Sequence, residues 1–212
     1  MQLKRGADVV SNEGEKIGSL ERVVVDPKTR EVAYLVVKSG FLLKEDKLIS
    51  IDQVGEVTED QITVKATKGQ LDGLPPFEDV HYVSVENDND TFGDADRFYW
   101  YPPPAGWYAP GGYYPFVQPL YIRVSEKNIP ENMVALEEGA KVFTNDGEHV
   151  GNIEQLMTDE NNEYVTHPVV SSGLLLKERK MVPAYWLTNV SEDEVHLTVD
   201  SRFIDHLPEF HL

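Results

Sequence analysis

Cysteine is absent from the 212 residues, which removes disulfide staples, thiol nucleophiles and cysteine-based zinc or iron–sulfur sites together. No run of 18 apolar residues occurs either, so the sequence holds no candidate membrane-spanning helix. The opening stretch Met1 to Asp8 carries a basic pair with no apolar segment behind it. A secretory signal is therefore not expected, and a soluble, cytoplasmic protein is. Cations are scarce: 19 Lys and Arg stand against 37 Asp and Glu, a net charge of −18. Nucleic-acid binding depends on cations that displace counterions from phosphates, so no nucleic-acid partner is expected.

What is present is unevenly spread. Residues 1–77 carry 11 basic and 13 acidic side chains, residues 78–133 carry 3 and 9, and residues 134–212 carry 5 and 15. The two ends of the chain thus differ in charge, yet they are related in sequence. Sliding the chain by 133 positions aligns residues 1–77 with 134–210 without a gap, and about 27 of the 77 pairs are identical. Gly6-Ala7 falls on Gly139-Ala140, Gly18 on Gly151, Glu21 on Glu154 and Asp26 on Asp159. The block Val36-Val37-Lys38-Ser39-Gly40-Phe41-Leu42-Leu43-Lys44-Glu45 falls on Val169-Val170-Ser171-Ser172-Gly173-Leu174-Leu175-Leu176-Lys177-Glu178. This is a duplicated domain, with copies at 1–77 and 134–212 and a connector at 78–133.

Each copy reads as short strands. Ile17 to Val25, Val32 to Val37, Leu48 to Val54 and Gln61 to Ala66 are rich in β-branched residues and bounded by turn residues. Asn145-Asp146-Gly147, matching Asn12-Glu13-Gly14, has the Asp-Gly pair favoured where φ turns positive. Asp26 to Arg30 and Asp159 to Glu163 read as hairpin loops, and a single helical turn is expected over Lys68 to Leu71. Strands of this number without a long helix predict an all-β chain of two small barrels, closed so that edges are not exposed.

The residues Gly14-Glu15-Lys16-Ile17-Gly18, Val23-Val24-Val25-Asp26 and Leu48-Ile49-Ser50-Ile51-Asp52-Gln53-Val54 form a recognisable series. Gly147-Glu148-His149-Val150-Gly151, Asp159 and Met181 to Leu187 repeat it. The series resembles the PRC-barrel family, which includes the cytoplasmic domain of the photosynthetic reaction-centre H subunit and the C-terminal domain of the ribosome-maturation factor RimM. The resemblance covers both copies and implies two tandem PRC-type barrels and a binding or assembly role. It carries no cofactor and no catalytic residue with it. The tandem pair, the absence of a membrane helix before the barrel and the missing basic surface all depart from those namesakes.

The connector has its own composition: seven of the 13 prolines and 12 of the 21 Phe, Trp and Tyr residues of the chain. A flexible spacer would be rich in Gly and Ser. Two readings stand: a segment packed against the barrels, or a docking arm that presents Trp100, Tyr101, Trp107 and Tyr108 to a partner. Its acidic stretch Glu86 to Asp96 invites a calcium loop, but from Asp88 the ligand positions fall on Phe92 and Tyr99. The histidines, His81, His149, His167, His196, His206 and His211, lack the paired spacing of a zinc helix, although His206 and His211 lie close enough in sequence to meet. Gly-x-Ser-x-Gly and phosphate-loop patterns are missing. No metal, cofactor or catalytic site is expected, and the chain is not expected to be an enzyme.

Phe41-Leu42-Leu43 and Leu174-Leu175-Leu176 are the best candidate contacts. Side chains alternate along a strand, so three consecutive apolar residues cannot all face one core. Either the chain covers them itself or another protein does. The leading expectation is a non-catalytic adaptor or assembly module that binds another protein, a homodimer being compatible. The alternative is a small-ligand or ion-responsive protein with a cleft between the barrels.

Overall fold

A computed structural model describes residues 2–39, 45–58, 60–84, 121–173 and 178–211. The first copy contains β1 (Gln2–Lys4), β2 (Asp8–Val10), β3 (Lys16–Val25), β4 (Val32–Ser39), β5 (Lys47–Ser50), β6 (Val54–Val57), β7 (Gln61–Val64) and the helical turn α1 (Lys68–Asp72). The hairpin β8 (Glu78–Ser84) and β9 (Tyr121–Lys127) follows. The second copy contains β10 (Val134–Glu137), β11 (Lys141–Phe143), β12 (His149–Thr158), β13 (Val165–Ser172), β14 (Glu178–Met181), β15 (Leu187–Val190), β16 (Glu194–Leu197) and α2 (Ser201–Asp205).

The copies fold alike. One sheet runs β5-β4-β3-β2-β7-β6 and the other β14-β13-β12-β11-β16-β15, the same order under the 133-residue offset. In each, the two end strands of the path follow one another through a single 3-10 turn, Ile51–Gln53 or Ala184–Trp186. That turn brings the ends of the path together and curls the sheet around its apolar side chains. Register shifts also coincide, at Leu20/Arg22 and at Ile153/Gln155. Such irregularities bend the long strands, as closure of a small sheet requires.

Glycine marks the tightest points. Gly14 and Gly147 take φ values of 81° and 80° in matching turns. At Gly18 an added Cβ would stand 2.3 Å from the Lys38 carbonyl oxygen, and at Gly151 2.4 Å from that of Ser171. Only a residue without a side chain admits the neighbouring strand so closely. Asp26 and Asp159 close the hairpin loops: Asp26 accepts the backbone N–H groups of Lys28 and Thr29, and Asp159 those of Glu163 and Tyr164. The loops then differ, with left-handed backbone at Arg30 in one and Asn162 in the other.

The copies are not two beads. One edge of β3 is shared: residues 16–19 pair with β2 of the same copy, and residues 22–25 pair with β10 of the other. The mirror arrangement places β1 on β12, with Leu3 opposite Leu156. The first strand of each copy thus completes the sheet of its duplicate. Leu3 and Leu136 are buried, and one apolar core runs through residues of both copies. A satellite cluster of Val24, Val36, Leu48, Phe77 and Ala135 also draws on both.

Residues 1–77 and 129–212 make one compact unit and residues 78–128 a second. Within the second, β8 and β9 pair in antiparallel register from Glu78 opposite Lys127 to Ser84 opposite Tyr121. Among the described residues no helix is long and apolar enough to cross a membrane.

Candidate functional site

The end of the second sheet opens into a groove of about 460 Å³. Its floor is β12 where that strand crosses β13: residues 149–154 on one side, and Ser171, Ser172 and Gly173 on the other. The turn residues Glu138 and Gly139 close one end. The volume lies within the usual range of ligand clefts, about 300–1,000 Å³. The lining is more polar than such clefts commonly are, with Glu138, His149, Asn152, Glu154, Ser171 and Ser172 supplying side chains.

The charges of this groove are set by β12 and its neighbours. The Arg179 guanidinium on β14 grips Glu154 bidentately, Nε at 3.0 and 3.1 Å and Nη2 at 2.9 Å from the carboxylate oxygens. Glu138 accepts the Arg5 backbone N–H at 2.8 Å. Burial pushes the Glu138 carboxyl above the usual carboxylate range; the Arg5 N–H and charge oppose that, and the nearby Glu154 charge adds to it. The Arg5 guanidinium is engaged elsewhere, on Glu21 and on Glu137. No Lys or Arg is among the described residues that line the groove.

The first copy supplies the comparison. Its counterparts of Glu138, His149 and Ser171 are Arg5, Lys16 and Lys38. Arg5 and Lys38 both bridge to Glu21, and Lys16 bridges to Asp8 at 2.6 Å. The position that long cationic side chains satisfy internally in one copy is therefore left open and carboxylate-lined in the other. A ring cluster also belongs to the second copy: Phe143 is tilted against the His149 ring at 5.4 Å and stacked on that of His196 at 5.5 Å. Val10, Lys16 and Thr63 occupy those positions in the first copy.

Behind the groove, the seam between the copies holds a cavity of about 20 Å³. Glu138, Ile153 and Glu154 line both spaces. Gln155, 2% exposed, also lines the cavity, and neither of its amide atoms has a hydrogen-bond partner among the described residues. That volume has room for about one water, which needs only ~10–15 Å³. Among the described residues no group of three or more His, Asp and Glu could hold a metal ion.

Elsewhere the second copy exposes large side chains. Tyr185 is 69% and Phe203 57% exposed, and Tyr185 stands edge-on to Trp186 at 6.0 Å. Their counterparts in the first copy are polar: Asp52 for Tyr185, Gln53 for Trp186 and Gln70 for Phe203.

Of the contacts expected from sequence, Phe41, Leu42, Leu43, Leu174, Leu175, Leu176, Trp100, Tyr101, Trp107 and Tyr108 all lie outside the described residues. So does the acidic stretch 86–96. His206 and His211 have separate partners, the Arg202 carbonyl and Glu209. Glu138, Glu154, Gln155, Tyr185 and Phe203 were not singled out by pattern. At Glu138, Gln155, Tyr185 and Phe203 the signal is a disagreement between the copies in charge or polarity; Glu154 matches Glu21 and carries no such signal.

Comparison with known proteins agrees with the duplication. The PRC-barrel domain matches residues 5–71 and again residues 138–203. No characterised protein in a curated collection matches the chain.

Proposed function

Because the chain belongs to the PRC-barrel family, we propose that it is a non-catalytic module that binds another protein, acting as an adaptor in the cytoplasm. The observation that carries this reading is the solvent-facing Tyr185, edge-on to Trp186, on a copy whose duplicate has Asp52 and Gln53 there. Aromatic side chains of this kind supply large contact area at low conformational cost and dominate interface energetics. The shared core makes the two copies one stiff platform on which such contacts hold their spacing. The apolar runs Phe41–Leu43 and Leu174–Leu176, and the connector residues Trp100, Tyr101, Trp107 and Tyr108, are further contacts on this reading.

A small-ligand role in a cleft between the barrels finds less support. The seam leaves about 20 Å³, room for a water and not for an organic molecule. The test compares the wild-type chain with a Tyr185→Ser/Phe203→Ser variant in quantitative affinity capture, beside a thermal-shift screen of small molecules and ions. A specific protein recovered by the wild type and lost from the variant, at unchanged melting temperature, is expected. Identical recovery by both, or clear stabilisation by one small molecule, overturns the adaptor reading.

A further inference from the structure

We propose that the seam between the copies holds one ordered water molecule, bound by the side-chain amide of Gln155 and the carboxylate of Glu138. The inference rests on the fold and not on the adaptor reading. The first argument is the place where the duplication lost its symmetry. Arg22 and Gln155 are equivalent under the 133-residue offset. Arg22 stands opposite Glu137 in the β3–β10 register, bridges to it at 3.3 Å and reaches on to Glu192 at 3.2 Å. Gln155 stands opposite Lys4 in the matching β12–β1 register. An amide forms no ion pair there, and glutamine is the shorter side chain, so its polar head stops inside the protein. Arg22 keeps 22% of its side chain exposed, whereas Gln155 is 2% exposed.

The second argument is the space beside that head. Gln155 lines the seam cavity of about 20 Å³ together with Glu138, Leu20 and Ile153. Buried amides are ordinarily hydrogen-bonded, yet Oε1 and Nε2 of Gln155 have no partner among the described residues. The third argument is chemical fit. The amide oxygen needs a donor and the amide nitrogen an acceptor, and water is both. A cation would serve the oxygen alone. An anion would serve the nitrogen alone and would meet the carboxylates of Glu138 and Glu154, which line the same space. Glu138 accepts the Arg5 N–H at 2.8 Å. A carboxylate has about four lone-pair sites, so it can accept from the water as well. A wholly apolar cavity stays dry, but this one offers the two to four polar contacts that a buried water takes.

The experiment follows NOE and ROE cross-peaks between water and the methyl groups of Leu20 and Ile153, in the full chain with methyl-labelled leucine and isoleucine. These are equivalent residues of the two copies, 1% and 3% exposed, and neither side chain carries an exchangeable proton. Cross-peaks to water at both are expected, with NOE and ROE of opposite sign, as for a molecule that tumbles with the protein. Gln155→Met keeps a similar length, removes both amide groups and should abolish the cross-peaks. Arg5 and Arg22 also line the cavity, and their guanidinium protons exchange with bulk water. Cross-peaks that survive in Gln155→Met come from those guanidinium groups and overturn the proposal. If that variant fails to fold, wild type at mildly acidic pH decides the matter, because guanidinium exchange slows there while the contact of a bound water persists. Cross-peaks that fade with that exchange, or methyl groups silent in the wild type, overturn the proposal too.

Discussion

Glu31 pairs with Tyr164, its own counterpart in the duplicate, across an antiparallel bridge. Val32 N–H donates to the Glu163 carbonyl at 2.8 Å and Val165 N–H to that of Arg30 at 2.9 Å. Under the 133-residue offset each of these hydrogen bonds is the mate of the other. A residue meets its own equivalent only beside a twofold axis, so the copies are arranged as the subunits of an isologous dimer within a single chain.

That arrangement makes the exchanged strands the first place to test. Leu3→Ala and Leu136→Ala each remove a buried side chain from a strand that serves the other copy, and each should cost about 2–5 kcal/mol. Hydrogen exchange distinguishes exchange from simple tandem packing. Leu3→Ala should lower amide protection along β12, where Leu3 packs opposite Leu156, more than along β3. Preserved protection of β12 would show that β1 does not belong to the second sheet.

Gly18→Ala and Gly151→Ala should both destabilise the chain. Each added methyl would collide with a backbone carbonyl that cannot rotate aside, and overpacking of this kind costs about 1–3 kcal/mol or more. Gly151→Ala is the worse of the two, because its φ of 143° is also unfavourable for a side chain. Urea denaturation of the two variants should rank them in that order.

Acid should loosen the loops before the sheets. Backbone N–H groups of Thr29 and Lys28 hold the Asp26 carboxyl below the usual carboxylate range, and the Thr144 hydroxyl, with Ser201, does the same for Asp146. A lowered folded-state value means that this stabilisation is complete above the ordinary value of 3.8 and is lost as pH falls through the folded one. The melting-temperature gap between wild type and Asp26→Asn should therefore be constant near neutrality and shrink below about pH 3.8. A gap that persists in acid would mean the carboxylate charge contributes nothing.

Arg22 ties the copies together electrostatically. It reaches Glu137 at 3.3 Å and Glu192 at 3.2 Å, both in the second copy, and lies over the Phe77 ring. Arg22→Leu should cost about 1–2 kcal/mol, for a partly shielded network rather than a lone surface pair. The difference from wild type should narrow in high salt, as screening removes the ionic share.

Much of this architecture is legible in the sequence. The gapless repeat, the β-branched runs and the Asp-Gly turn locate strands and hairpins, because local chemistry decides them. The exchange of β1 and β10 is not legible. Val134 to Glu137 has the same alternation whether it pairs with β3 or with a strand of its own copy, and only tertiary geometry separates the two. The groove falls between these cases. Arg5 against Glu138 and Lys38 against Ser171 are plain mismatches in the alignment, but that they converge on one opening depends on the curl of β12. Tyr185, beside Trp186 in a 3-10 turn, and Phe203, in α2, read equally well as core from sequence.

Interlacing also sets an order on synthesis. When residues 1–77 leave the ribosome, Val23, Val24 and Val25 still lack β10, the strand that pairs with them. At ~5–20 residues per second, the 60 residues from Phe77 to Glu137 take about 3–12 s to make. For that interval the nascent first copy presents an apolar, unpaired strand edge, the kind of surface that invites pairing with a neighbouring chain. β1, made before the rest of the first copy, waits for β12 before it has any sheet to join.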